Sequence, residues 1–225
     1  MNKYIDHTLL KNNATNSEIE KLCNEAQEYQ FMSVCVNPAN ISIAKKYLDD
    51  SDVKICTVVG FPLGASTTET KKFETLDSLA KGADEIDVVI NIAKAKENNF
   101  TYITNEISEI VNIAENKVVK VILETSELTK YEIKKCCEAA VEANADFVKT
   151  STGFSSGGAT IEDVTLMKET VKGEAQVKAS GGIRDLTTAQ AMIDAGATRL
   201  GVSAGLNIMK EFKGEKKNEN TNATY

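Results

Sequence analysis

The sequence predicts a single-domain (β/α)8 TIM barrel of the α/β class. Eight short runs rich in β-branched residues alternate with segments of helical period, all within a chain of 225 residues. This alternation is typical of βαβ units with parallel strands, and eight units in a chain of this length suit one closed barrel. An open doubly wound sheet is the competing fold. Neither GxGxxG nor GxxxxGK[ST], the motifs that often follow its first strand, occurs here.

The predicted elements follow one another regularly along the chain. The eight strand candidates are KYIDHT (3–8), MSVCVN (32–37), VKICTVVG (53–60), EIDVVINI (85–92), VVKVILET (118–125), DFVKTST (146–152), AQVKASG (175–181) and RLGVSAG (199–205). Between them, segments such as SEIEKLCNEAQEYQ and TKYEIKKCCEAAVEAN place apolar residues at helical spacing and charged residues elsewhere. We expect the barrel domain to span residues 1–212. The polar segment 213–225 cannot bury an apolar face, so we expect it to be a flexible tail.

Composition and charge narrow the classes of function. The formal net charge is -7, from 26 basic and 33 acidic residues, which argues against nucleic-acid binding because phosphate contacts supply most of that affinity. The N-terminus has no long apolar run, so we expect neither a signal peptide nor a membrane anchor. Five cysteines without CxxC spacing favour free thiols and a cytoplasmic location. A single histidine argues against a zinc site.

Ionisable residues interrupt three of the apolar strand candidates, at Asp87, Lys149 and Lys178. Desolvating an isolated ammonium group costs several kcal/mol, so a lysine buried in a strand needs a partner or a function. If Lys149 and Lys178 point into the barrel from neighbouring strands, repulsion and burial should lower the pKa of at least one of them. A neutral amine is a nucleophile, which predicts a Schiff-base lysine with Asp87 as the proton-transferring carboxylate. A Lys–Asp–Lys network with a purely structural role is the alternative.

Small residues after the last three predicted strands form a second pattern. In TIM barrels the loops after strands seven and eight, together with a helix N-terminus, usually bind phosphate. We expect that helix to be the one predicted over residues 187–195. Glycine lets backbone N–H groups approach an anion closely. The candidate phosphate-binding residues are Gly153, Gly181, Gly182, Gly201 and Ser203.

Eight motifs together resemble one enzyme family, the deoxyribose-phosphate aldolases. They are IDHTLL (5–10), VCVNP (34–38), VVGFPLGA (58–65), EIDVVIN (85–91), VILET (121–125), VKTSTGF (148–154), GGAT (157–160) and KASGGIR (178–184). The resemblance implies reversible cleavage of 2-deoxy-D-ribose 5-phosphate into D-glyceraldehyde 3-phosphate and acetaldehyde, in deoxynucleoside catabolism. It implies no cofactor, because the iminium ion itself withdraws electrons. Small phosphosugars and aldehydes are the expected partners, and the family suggests a homodimer.

The resemblance also implies roles for individual residues. Lys149 would form the Schiff base, Lys178 would activate it and transfer protons, and Asp87 would complete the relay. The residues implied on the sugar side of the pocket are Asp6, Thr8 and Cys35. The five phosphate-loop candidates match family positions, although Ala204 stands in GVSAG where relatives commonly have a serine.

Tyr225 lies where some relatives carry a terminal tyrosine that helps protonate the enamine. Two other functions stay open from the sequence alone. A sugar-phosphate isomerase or epimerase on the same barrel would use Glu124, at the end of the fifth predicted strand. A non-catalytic phosphosugar-binding protein would keep the glycine loops without needing two lysines and an aspartate inside the barrel.

Overall fold

Eight parallel strands close into a barrel in which each strand pairs with the next along the chain and β8 returns to β1. The computed structural model describes residues 1–215. The strands are β1 Ile5–Leu9, β2 Ser33–Val36, β3 Lys54–Val59, β4 Glu85–Val89, β5 Val118–Ile122, β6 Phe147–Lys149, β7 Gln176–Ser180 and β8 Arg199–Val202. Each predicted strand segment therefore contains one strand, and the predicted (β/α)8 barrel is confirmed.

Helices connect successive strands and surround the barrel. Within residues 1–215 they are α1 Asn16–Glu28, α2 Ile41–Leu48, α3 Thr68–Lys81, α4 Ile92–Lys96, α5 Phe100–Ala114, α6 Lys130–Glu142, α7 Ile161–Val171, α8 Leu186–Asp194 and α9 Gly205–Phe212. The helix predicted over residues 187–195 corresponds to α8. None of these helices is long and apolar enough to cross a membrane.

Local sequence explains where several helices begin and end. Thr129 and Glu132 form a capping box at the start of α6, in which each side chain bonds the other residue's backbone N–H. Thr67 accepts a hydrogen bond from Thr70 N at the start of α3. The same helix ends at Gly82, whose φ of 108° lies in the left-handed region that favours glycine. These signals align each helix with the strands that flank it.

The apolar core lies between the barrel and its helices, whereas the barrel interior is largely polar. Val148 packs in the outer core, while the preceding and following residues, Phe147 and Lys149, point inward, as strand alternation requires. A small separate apolar cluster consists of Leu10, Cys35, Cys56 and Val58. Charged side chains occupy much of the rest of the interior.

The segment after α9 is described only as far as residue 215. Lys213 is the C-cap of α9 and places its ammonium group 4.6 Å from the ring centroid of Tyr29. The rest of the predicted tail, including Tyr225, lies outside the described residues. The domain boundary at residue 212 and the role of Tyr225 therefore stay predictions.

Candidate active site

The barrel brings together the three ionisable residues that the strand patterns indicated. Asp87 Oδ2 accepts hydrogen bonds from both Lys149 Nζ and Lys178 Nζ, each at 2.8 Å. Lys149 and Lys178 are register partners on β6 and β7. Asp87 and Lys178 are fully buried, whereas Lys149 is 3% exposed. One carboxylate oxygen thus joins two amines in the barrel interior.

A third lysine, Lys120 on β5, belongs to the same cluster. Its ammonium group lies 2.8 Å from Asp87 Oδ1, 2.6 Å from Glu85 Oε2 and 4.0 Å from Asp6 Oδ2. It also donates to Cys56 Sγ at 3.3 Å. Sequence analysis did not single out Lys120, although it interrupts the apolar run VVKVILET as Lys149 and Lys178 interrupt theirs. The signal was therefore present in the sequence.

Below the lysines, Arg199 links two acidic residues. Its Nη1 donates to Asp6 Oδ1 at 2.8 Å and to Glu85 Oε2 at 3.0 Å. The other oxygen of Asp6 is 2.5 Å from Lys178 Nζ. Asp6 is fully buried, and its carboxylate lies inside the ion-pair network because Arg199 and Lys178 both require a negative partner at this depth. Its place on the sugar side of the pocket stays a prediction.

The network has more positive than negative groups. Its four cations are Lys120, Lys149, Lys178 and Arg199. Its three carboxylates are Asp6, Glu85 and Asp87. When all are ionised, the network therefore carries one uncompensated positive charge. Among residues 1–215, Lys149 is within ion-pair distance of Asp87 alone, whereas Lys178 has two carboxylate partners. Lys149 is thus the least compensated cation.

Attraction to nearby carboxylates, and not the expected repulsion between the two lysines, dominates the effect of charges on Lys178. Burial alone would lower the pKa of Lys178, but the carboxylates of Asp6 and Asp87 raise it above its ordinary value. For Asp87, burial opposes ionisation, and the charges of the surrounding lysines nevertheless hold its pKa well below the usual range. Of the two lysines, one of which was expected to have a lowered pKa, Lys178 is therefore not that one. Lys178 is a cation here, and its charge helps to hold Asp87 ionised.

Glu124 occupies a strained position at the C-terminal end of β5. Its φ of 57° places a non-glycine residue in the left-handed region, which costs on the order of 1 kcal/mol. Its carboxylate accepts bonds from Thr152 N at 3.3 Å and from Thr152 Oγ1. Burial raises the pKa of Glu124, although the bonds from Thr152 and the charge of Lys149 act in the opposite direction. With Leu63 and Phe154, Glu124 lines a cavity of about 270 Å³ at the barrel mouth.

The raised pKa of Glu124 predicts a pH-dependent effect on stability. An acid whose pKa is raised on folding contributes stability below its unfolded value, here 4.5, and loses that contribution as the pH rises through the folded value. A Glu124→Gln variant cannot ionise. We expect its free energy of unfolding, relative to wild type, to be higher at about pH 8 than at about pH 4. Chemical denaturation at both pH values measures this, and an equal difference at the two values would contradict it.

The glycines after β6 and β7 adopt left-handed backbone conformations, which the predicted phosphate loop could use. Gly153 and Gly181 have φ values of 87°, and Gly182 has a φ of 81°. A Cβ atom at Gly182 would meet nothing within 4 Å, so this backbone borders open space. Gly201 has a different role, because a Cβ there would lie 3.1 Å from Lys178 Cε. Its lack of a side chain leaves room for Lys178 to cross the barrel.

The N-terminus of α9 is less occupied by side chains than that of the predicted anion-binding helix α8, whose role stays a prediction. Asp185 caps α8 by accepting a bond from Thr188 N at 2.8 Å. A carboxylate at this end both occupies an N–H group and repels a phosphate. By contrast, α9 begins after Ala204, which has no polar side chain to cap it. The half-buried Ser203 lies just before that helix, so the mouth near β8 offers both backbone N–H groups and a hydroxyl.

The two remaining pocket candidates lie at one level of adjacent strands. Thr8 and Cys35 are register partners on β1 and β2. Thr8 is 6% exposed and donates its hydroxyl to Asp6 O at 2.9 Å, whereas Cys35 is fully buried. Both are close to the network, but neither presents much surface to a ligand in this structure.

Such an arrangement suits imine chemistry. A buried amine with a shared carboxylate and a second ammonium group has a nucleophile, a proton acceptor and a proton donor within hydrogen-bond distance. The adjoining glycine loops could hold an anionic group near the same mouth.

Comparison with known proteins points the same way. The model of the family described as DeoC/LacD family aldolase matches residues 1–211. The protein named deoxyribose-phosphate aldolase in Thermoanaerobacter sp. (strain X514) is 56% identical over 213 residues, which cover 93% of this chain and 96% of that relative. A solved aldolase named QR15 superposes with a TM-score of 0.91 at 44% identity, over 95% of this chain and 96% of that one.

A tetrameric deoxyribose phosphate aldolase structure from Aeropyrum pernix has a TM-score of 0.85 and 32% identity, with coverage of 94% of this chain and 90% of that one. The family inferred from the eight sequence motifs is thereby confirmed. On its fold, its site and these similarities, the chain belongs to the DeoC/LacD family of aldolases.

Proposed function

We propose that this aldolase reversibly cleaves 2-deoxy-D-ribose 5-phosphate into D-glyceraldehyde 3-phosphate and acetaldehyde, with Lys149 as the Schiff-base lysine. The observation that carries the proposal is the buried pair of lysines on one Asp87 oxygen, each at 2.8 Å. The excess of one positive charge favours loss of a proton from the network. Lys149, with one carboxylate partner and some solvent exposure, is the lysine whose deprotonation sacrifices the fewest ion pairs.

The reaction follows from the reactivity of a neutral amine. Lys149 Nζ adds to the C1 aldehyde, and the carbinolamine loses water to form an iminium ion. The iminium withdraws electrons from C2, so the C2–C3 bond breaks as the C3 hydroxyl loses its proton. This single cleavage gives glyceraldehyde 3-phosphate and an enamine of acetaldehyde.

 Acetaldehyde takes C1 and C2 of the sugar, and glyceraldehyde 3-phosphate takes C3, C4 and C5, so the bond that breaks is C2–C3. The C3 hydroxyl loses its proton and C3 becomes the new aldehyde carbon. The electron pair of the C2–C3 bond passes to C2 and the iminium, which leaves an acetaldehyde enamine on Lys149. Protonation at C2 and hydrolysis then release acetaldehyde.

Protons for these steps can pass through Asp87. Its Oδ2 accepts from Lys149 and Lys178 at equal distances of 2.8 Å, so one oxygen connects the reacting amine with a proton donor. Lys120 binds the other oxygen, Oδ1, at 2.8 Å and thereby holds the carboxylate in one orientation. Lys178 and Asp87 are positioned to move protons without solvent, since both are fully buried.

The phosphate group is expected to bind where β7 and β8 end. The left-handed backbone at Gly181 and Gly182 and the uncapped first turn of α9 offer backbone N–H groups for an anion there. Ser203 is the hydroxyl next to that turn. Because Ala204 offers none, backbone groups carry a larger share of the phosphate binding than in relatives with a serine at that position.

A Ser203→Ala variant tests the phosphate site. A hydrogen bond to a charged group contributes about 1.5–3 kcal/mol, so we expect KM for 2-deoxyribose 5-phosphate to rise by about tenfold or more. Turnover of unphosphorylated 2-deoxyribose should change little. Ser66→Ala, in the loop after β3, is the matched control. An equal loss on both substrates would show that Ser203 does not act through the phosphate.

The isomerase alternative has less support. Its candidate base, Glu124, is held by Thr152 N and Oγ1 at the edge of the mouth, and the chain belongs to an aldolase family. A phosphosugar-binding protein without catalysis would not require three buried lysines around one aspartate.

Borohydride trapping tests the proposed function directly. The protein is incubated with acetaldehyde or 2-deoxyribose 5-phosphate, reduced, digested and mapped by mass spectrometry. We expect a reduced adduct on Lys149. Aldolase activity without any adduct would reject the Schiff-base mechanism, and an adduct on Lys178 would reverse the roles of the two lysines.

Three further properties belong to the same proposal. We infer a role in deoxynucleoside catabolism, a cytoplasmic location and a homodimer. All five cysteines are free and buried, which is compatible with a reducing compartment.

A further inference from the structure

Two cysteines that the proposed mechanism does not use lie side by side in the barrel. Cys35 on β2 and Cys56 on β3 are register partners. Their sulfur atoms and a carboxylate oxygen of Asp87 all lie within 4.8 Å of one another. Both residues are fully buried. The pair therefore lies beside Asp87 in the catalytic network.

The two thiols are not equivalent. Cys56 Sγ donates to Asp87 Oδ1 at 3.1 Å and accepts from Lys120 Nζ at 3.3 Å. The neighbouring Cys56 thiol lowers the pKa of the Cys35 thiol, whereas burial raises the pKa of Cys56. In a dithiol oxidation the more readily ionised sulfur attacks the oxidant, and its neighbour resolves the product. Cys35 has the first role and Cys56 the second.

A disulfide suits this pair better than a metal ion does. Cys35, Cys56 and Asp87 could supply three ligand atoms, but three ammonium groups already surround Asp87. An added cation would increase the excess positive charge of the network, whereas a disulfide adds no charge. Neighbouring strands are about 4.8 Å apart, within the range of Cα separations that disulfides span.

We propose that Cys35 and Cys56 form a reversible disulfide on exposure to hydrogen peroxide and that this disulfide switches the aldolase off. The Cys35 thiolate attacks one peroxide oxygen, which gives a sulfenic acid and, after protonation, water. Cys56 sulfur then attacks the Cys35 sulfur, and a second water leaves. Overall, two thiols and one peroxide yield one disulfide and two waters, with both sulfurs oxidised and both peroxide oxygens reduced.

Loss of activity follows from the contact between Cys56 and Asp87. A disulfide removes the S–H group that donates to Asp87 Oδ1 at 3.1 Å, and it draws the Cys56 sulfur to about 2.05 Å from its partner. Asp87 then loses one of the bonds that orient it between the lysines. Bonds to charged groups are strong enough that we expect about a tenfold or larger fall in kcat/KM.

The test treats the full chain with hydrogen peroxide and digests it without reduction. We expect a peptide pair that joins Cys35 to Cys56 with the loss of two hydrogen atoms, together with a fall in activity that dithiothreitol reverses. Cys56→Ala, compared with its own untreated activity, should resist peroxide. Cys23→Ala, a buried cysteine of the outer core, should respond as wild type does.

Two results would overturn the proposal. One is peroxide inactivation with no Cys35–Cys56 linkage, and the other is a linkage that leaves activity unchanged. The linked peptide is measured without an activity assay, so the disulfide can be established even if the proposed substrate is wrong. The inactivation arm alone rests on the proposed aldolase function.

Discussion

Replacing Lys149 with methionine is expected to lower kcat/KM for 2-deoxyribose 5-phosphate on the order of 10⁴-fold or more, because the covalent intermediate can no longer form. Folding should persist. Removal of Lys149 takes one cation from a network of four cations and three carboxylates and leaves the charges balanced. Steady-state kinetics and borohydride trapping measure the loss, and circular dichroism checks the fold.

Lys54→Met is the matched control for this variant. Lys54 is also a barrel-strand lysine, the first residue of β3, but its side chain is exposed. We expect this variant to retain wild-type activity and a trapped adduct on Lys149. Substantial aldolase activity in a folded Lys149→Met protein would show that another amine forms the Schiff base.

Replacing Asp87 with asparagine is expected to destabilise the fold as well as abolish catalysis. Asp87 accepts bonds from Lys120, Lys149 and Lys178, and an uncharged amide leaves these buried ammonium groups undercompensated. Removing one partner from a buried ion pair typically costs about 3–5 kcal/mol. For a chain of this size the midpoint of thermal unfolding should fall by about 10 °C.

Asp77→Asn provides the contrast. Asp77 pairs with Lys81 one turn away on the exposed face of α3, where such pairs contribute about 0.5 kcal/mol or less. Calorimetry of both variants and of wild type measures the midpoints of thermal unfolding that test this prediction. If Asp87→Asn unfolds at the wild-type temperature, the lysines are not ionised around Asp87 as the structure indicates, and the charge argument for Lys149 fails with it.

Local sequence patterns were sufficient for the architecture. Valine and isoleucine runs separated by helical periods predicted all eight strands, because β-branched residues and alternation act within a few neighbours. Lys149, Lys178 and Asp87 were also visible locally, since each interrupts an apolar run. Lys120 also interrupts an apolar run, so the same local pattern could have identified it.

The pairing of charges was decided by tertiary structure alone. Lys178 and Asp87 are 91 residues apart, and Arg199 and Asp6 are 193 apart. No local pattern reports which carboxylate meets which cation over such distances, so the repulsion between Lys149 and Lys178 was visible from the sequence and the attraction between Lys178 and Asp6 was not. Closure of the barrel instead places Asp6 between Arg199 and Lys178, and the attraction of its carboxylate raises the pKa of Lys178. The sequence by itself determined the barrel and most of its reactive residues, whereas barrel closure determined their charge states, because Coulomb interactions depend on distances in space and not on separation along the chain.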